Sequence, residues 1–156
     1  MRCIRVSLKF LIRKAKLSDA DFLADLSGEL GYPASKKEMT VRLKSILPDS
    51  SHAVFAAETA RKRIVGWIHV CVRKCVESNS FPEIVGLVVS REFRGKGIGK
   101  ALLQKAEEWA LSGNFQTICL RSRTTRREAH QFYEHSGYKI VKTQKVFKRV
   151  LNTFIE

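Results

Sequence analysis

The 156-residue chain carries 29 Lys and Arg against 15 Asp and Glu, giving a net charge of +14 and an isoelectric point near 10.0. A hydrophobic content of 44% with 28% charged residues describes one globular domain of ordinary size, and no apolar run approaches the ~20 residues of a membrane-spanning helix. The charge suits nucleic acid, an anionic cofactor or an acidic surface, but no zinc-finger spacing, RNA-recognition aromatic motif or helix-turn-helix pattern accompanies it.

The first stretch, MRCIRVSLKFLIRKAK, is broken by Arg5, Lys9 and Arg13 too often for a signal-peptide core, which predicts a cytoplasmic protein. Residues 8–14 alternate as a first strand. Ser18, with Asp21 three residues on, predicts a capped helix over 19–30 that buries Phe22, Leu23, Leu26 and Leu30 and ends at Gly31. A capping box of Ser35 and Glu38 opens a second helix ending before Pro48. Residues 52–59 and 63–74 predict an antiparallel hairpin, with Trp67, His69 and Cys71 on one face and Ile64, Gly66, Ile68 and Val70 on the other.

A loop at 76–82 then leads to a buried strand at 83–90. A helix follows over 97–112, a strand over 115–121, and a helix opened by Thr125 and Glu128 that ends at Gly137. Residues 138–151 read as extended, as two strands bent near Thr143.

Four cysteines (Cys3, Cys71, Cys75, Cys119) make no disulfide framework. Cys71 and Cys75 fall in one strand, ~13 Å apart at ~3.3 Å per residue, beyond the ~7 Å limit for a bridge. Neither they nor the scattered His52, His69, His130 and His135 have metal-ligand spacing, so no metal is expected.

The most informative stretch is EIVGLVVSREFRGKGIGKALL, residues 83–103. Glycines at 95, 97 and 99 allow a tight turn, and the following helix begins with unpaired N–H groups, an arrangement that binds anions. Arg94, Lys96 and Lys100 add positive charge. A P-loop would need GxxxxGK[ST], which is absent, and a Rossmann turn GxGxxG, whereas these glycines give GxGxG. The pattern R-x-x-G-x-G is met by Arg94, Gly97 and Gly99.

That stretch, followed after a helix and strand by AHQFYEHSGY, resembles the GNAT superfamily of acetyl-CoA-dependent N-acetyltransferases, most densely over 83–138. The resemblance implies an α/β domain spanning the chain, with a mixed, mostly antiparallel central sheet flanked by helices and a V-shaped opening between the two central strands. Family members usually begin near Leu11, which makes 1–8 an extension. It also implies acetyl-CoA as co-substrate. The pantetheine arm would pair with the backbone of Leu87, Val88 and Val89, and the pyrophosphate would rest on Arg94, Gly95, Lys96, Gly97, Ile98, Gly99 and Lys100.

Acetyl transfer to a lysine-like amine of pKa ~10.4 first needs the neutral nucleophile, which at pH 7 costs about 4.6 kcal/mol. By resemblance Glu83 is the candidate base, acting through water, Tyr133 the acid that protonates the thiolate, and a backbone N–H near Val89 the oxyanion donor. Arg126 stands where many members have Asn, so it meets either a CoA phosphate or solvent. Glu29 and Tyr32 occupy the region that contacts the acceptor. Transfer would be direct, since nothing around Cys119 lowers a thiol pKa. The acceptor is an amine of a small molecule, an aminoglycoside or a protein, with neutral, weakly charged or acidic-flanked acceptors favoured by the +14 charge. The chain would act as a monomer or homodimer. The rival reading is a non-enzymatic CoA-sensing or RNA-binding module using the basic stretches 121–127 and 139–149.

Overall fold

A computed structural model describes residues 9–151; Cys3 and the expected extension lie outside them. Residues up to Arg121 form one compact unit and those from Ser122 a second.

In the first unit β1 (Phe10–Lys14), β2 (His52–Thr59), β3 (Ile64–Cys75), β4 (Ser78–Val89) and β5 (Cys119–Leu120) form a sheet in sequence order. The first four strands are antiparallel and β5 joins parallel to β4. Helices α1 (Ala20–Leu30) and α2 (Lys36–Ile46) cover one face. There Leu23, Leu26, Met39 and Leu43 pack with Val54, Ala56 and Trp67. Helix α3 (Ile98–Ser112) covers the other, where Leu102 presses on Gly66, and a Cβ at Gly66 would lie 2.9 Å from the Val88 carbonyl oxygen. The period-2 pattern of β3, with Trp67 and His69 on one side and Gly66, Ile68 and Val70 on the other, therefore serves two helical layers.

Two helix signals hold in detail. Ser35 Oγ accepts from the Glu38 N–H at 3.2 Å while Glu38 returns to the Ser35 N–H at 2.7 Å, and Gly31 closes α1 with φ 97°. Other expectations fail locally. Ser18 does not cap α1: Asp19 takes that position because its carboxylate is held by Arg13 and by the Lys16 N–H at 2.8 Å, and Leu17–Asp19 form a 3₁₀ turn. The expected loop at 76–82 is mostly strand. Cys75 pairs with Ser78 across a two-residue turn, and Pro82 is accommodated because β4 meets no β5 residue there; the ladder begins at Glu83.

The strand expected over 115–121 shrinks to Cys119–Leu120, since only those two residues pair with β4. In the second unit, α4 (Arg127–His135) starts with Arg126 at its N-cap rather than with the Thr125–Glu128 box, and Gly137 follows it with φ 91°. No ladder includes any of 138–151 among the described residues, so the two expected strands are absent, and Ile140, Val146 and Phe147 are exposed. Extended sequence alone does not make a strand; a pairing partner does.

Candidate active site

The geometry is set by where β4 leaves β5. Their ladder has two pairs, Glu83 with Cys119 and Ile84 with Leu120, and ends. From Val85 onward the β5-facing edge of β4 is unpaired among the described residues, which opens the sheet as a V. Val85 is also the extra residue of a bulge: Ile84 lies opposite Val70 and Gly86 opposite His69. Gly86 is required here, since a Cβ would come within 2.7 Å of the Trp67 ring.

Beyond Val89 a 3₁₀ turn (Arg91–Phe93) leads into the glycine turn, with φ 72° at Gly95 and 83° at Gly97. The first bond of α3 is Ala101 N–H to Gly97 carbonyl at 3.0 Å, and no side chain caps the helix, so the N–H groups of Ile98, Gly99 and Lys100 have no intrahelical acceptor. Arg94 Nε donates to the Val89 carbonyl at 3.0 Å, and Lys96 Nζ donates to the Glu92 carbonyl at 3.1 Å while lying 5.0 Å over the Phe93 ring. The result is a cluster of N–H groups and exposed cations at the positive end of a 15-residue helix, which suits a phosphate-bearing ligand.

Glu83 sits at the closed end of the V. Its carboxylate is buried, with Oε2 2.9 Å from Arg73 Nη1 and Oε1 3.1 Å from Arg121 Nε. Each oxygen is thus engaged by a guanidinium, and the three residues tie β3, β4 and the end of β5 together.

On the α1–α2 side lies a cavity of about 310 Å³. Leu30, Met39 and Leu43 make its helical wall, Trp67, His69 and Val85 its floor, and Tyr32 and Arg42 are exposed at its edge. Among the described residues no Asp or Glu lines it. The Trp67 Nε1–H is buried with no acceptor among the described residues.

The sequence profile of the acetyltransferase (GNAT) family matches residues 20–138. The chain belongs to the GNAT acetyltransferase family. An aminoalkylphosphonate N-acetyltransferase of Salmonella typhimurium is 33% identical over 115 residues, covering 73% of this chain and 71% of that one. Human N-acetylaspartate synthetase is 31% identical over 72 residues, 46% of this chain; the match spans only 24% of that relative's length. Among solved structures, a Staphylococcus aureus GNAT family acetyltransferase superposes with TM-score 0.73 at 27% identity, over 92% of this chain and 100% of that one. An aminoglycoside N-acetyltransferase in complex with CoA superposes with TM-score 0.83 at 15% identity, over 94% and 98%, a likeness of fold.

In this GNAT domain Leu87–Val89 pair with β3 and, among the described residues, not with β5, and the 3₁₀ turn Arg91–Phe93 joins them to the glycine turn. Of the two residues expected to meet the acceptor, Tyr32 lines the cavity, whereas the Glu29 carboxylate accepts from the Arg91 N–H at 3.0 Å and from Ser90 Oγ at 3.4 Å, fixing the end of α1 to the turn after β4. Tyr133 and Arg126 belong to the second unit. There the Tyr133 ring packs against Phe132 and Tyr138, burial pushes its hydroxyl pKa up, and the nearby Arg126 opposes that rise. A tyrosine so placed stays protonated at neutral pH and can donate.

Sequence reasoning missed Arg42, Val85, Gly86 and the roles of Trp67 and His69. The shared face of Trp67 and His69 was a usable signal; the bulge at Val85 was not, because a bulge is a property of pairing.

Proposed function

We propose that this chain transfers the acetyl group of acetyl-CoA to the amine of a small acceptor. The observation that carries the reading is the β5-facing edge of β4, unpaired from Val85 among the described residues, followed through the glycine turn by the uncapped N-terminus of α3. Backbone groups of Leu87, Val88 and Val89 would hold the pantetheine arm, and the N–H groups of residues 98–100 with Arg94, Lys96 and Lys100 the pyrophosphate. The first group lies on β4, the second at the glycine turn and the start of α3. Arg126 would add a phosphate contact, and Tyr133 would return the proton to the thiolate. The family match crosses from one compact unit into the other without a break, which supports reading the chain as one functional domain.

We further propose that the acceptor is an amine with an apolar body and an anionic group. The cavity is walled by Leu30, Met39, Leu43 and Trp67, has Arg42 at its edge, and has among the described residues no lining carboxylate to hold a polycation. The relatives named for aminoalkylphosphonate and N-acetylaspartate both carry an anionic amine in their names. Glu29 and Tyr32 would shape the rim. Glu83 as base would work through water and would have to exchange a guanidinium to do so.

Isothermal calorimetry with acetyl-CoA tests the first step, and absence of binding at tens of micromolar defeats the reading. Thiol release over an amine panel follows, pairing phenylalanine with 2-phenylethylamine. The carboxylated amine should have the lower KM, and Arg42→Gln should erase that difference. An equal KM for both in the native protein would overturn the anionic-acceptor reading.

A further inference from the structure

His69 lines the cavity from β3, and its ring has a partner. His69 Nε2 lies 2.9 Å from His52 Nδ1 on β2, with ring centroids 5.2 Å apart. The register explains the pair: Val54 stands opposite His69 and Cys71 opposite His52, so the histidines are diagonal neighbours on one sheet face. On its other side His52 Nε2 faces Asp49 Oδ2 at 3.8 Å. Asp49 is held at its second oxygen by the N–H and Oγ of Ser51, at 2.8 and 2.7 Å. Along this row both histidines are half-buried and Asp49 is exposed, so it runs from cavity wall to solvent.

We propose that His69, His52 and Asp49 are the proton exit of the acceptor cavity. The inference rests on the acetyl-transfer reading above and names the groups that make the acceptor amine nucleophilic. The Asp49 carboxylate favours a proton on His52 Nε2. His52 Nδ1 then accepts from the Nε2–H of His69, which leaves the lone pair of His69 on Nδ1. In the transfer, an N–H bond of the acceptor ammonium breaks and Nδ1–H of His69 forms. The Nε2 proton of His69 moves to His52 Nδ1, and the Nε2 proton of His52 leaves to water beside Asp49. One proton enters and one departs. Both rings end in the opposite tautomer and reset by exchange with solvent, and the neutral amine attacks the thioester carbonyl.

Burial, then the neighbouring His52, lower the His69 pKa to about 4, so at neutral pH the ring is uncharged and conducts rather than stores a proton. The titratable groups around it are His52 and, beyond it, Asp49 from the β2 side, Arg42 and Tyr32 at the cavity edge, and Cys71 two residues along β3. Gly86, opposite on β4, brings none. Glu83 does not line the cavity, and both its oxygens are held by arginines.

Two measurements test the exit. Nitrogen NMR of the full native chain should find Nε2–H and bare Nδ1 on both rings at pH 7; Nδ1–H on His69 overturns the proposal without any variant. Kinetics then compare 2-phenylethylamine with its β,β-difluoro analogue, whose electron-poor amine loses its proton easily. His69→Gln should lower kcat/KM for the first by about 100-fold at pH 7 and barely affect the second, and the loss should shrink at pH 10. His52→Asn, which keeps a polar side chain but cannot relay, should show the same pattern more weakly. An equal loss with both amines at every pH would reduce the pair to packing and overturn the proposal, as would no loss with either. Lack of acetyl-CoA binding would overturn the transfer reading and the exit with it; intact binding with an equal loss overturns the exit alone.

Discussion

One carboxyl and one hydroxyl group illustrate how a side chain can serve either structure or chemistry. Glu83 is buried between Arg73 and Arg121 at the point where β4 and β5 part. Glu83→Gln removes the charge but keeps the shape, and the two arginines can turn to solvent. We expect a Tm lower by a few degrees with kcat and its pH profile largely retained, measured by thermal melts and initial rates. A large fall in kcat at unchanged Tm would instead make Glu83 the base. Tyr133 has its hydroxyl pKa raised by burial and so remains protonated at neutral pH. Tyr133→Phe should lower kcat about 10- to 100-fold while leaving acetyl-CoA affinity, read by calorimetry, nearly unchanged; equal loss of both would mean packing alone.

At the scale of elements, the sheet depends on a clasp between its first strand and the entry to α1. Arg13 of β1 holds Asp19 through two nitrogens, at 2.8 and 3.0 Å, and Glu58 of β2 at 2.5 Å. Burial alone would raise the Asp19 carboxyl, but the Arg13 guanidinium and the Lys16 N–H outweigh it and hold it below its usual range. Hydrogen bonds from Arg13 and Lys62 lower that of Glu58. Groups whose folded pKa is depressed bind more protons when unfolded, so their stabilisation is full above the ordinary values of 3.8 and 4.5 and is lost as the pH falls through the folded values. Denaturant melts should therefore show stability dropping below about pH 4.5, and Arg13→Met should flatten that slope. These carboxylates were invisible as a unit in the sequence because they lie 39 positions apart and meet only when β1 pairs with β2. The capping box of α2 was legible for the opposite reason: its partners are three residues apart and the motif is complete locally.

For the whole molecule, the net charge of +14 and a cavity edged by Arg42, with no lining carboxylate among the described residues, fit the proposed capture of an anionic acceptor. Steering of this kind weakens as the Debye length falls from about 10 Å at 0.1 M salt to 3 Å at 1 M. We expect kcat/KM for phenylalanine to fall several-fold over that range while the value for 2-phenylethylamine changes little or rises; parallel responses would detach the charge from substrate capture.

The order of elements up to α4, the glycine turn before α3 and the family were present in the sequence, because strand alternation, helix caps and positive-φ glycines are local demands on the backbone. Residues 138–151 show the limit of such reading, since their extended pattern found no partner strand among the described residues. Tertiary structure alone decided where β4 abandons β5, that Val85 bulges, that Glu83 is bound to two arginines, and that His52 and His69 meet. Each depends on how strands pair and where that pairing ends, and register is settled by which faces are buried, not by any one strand's residues.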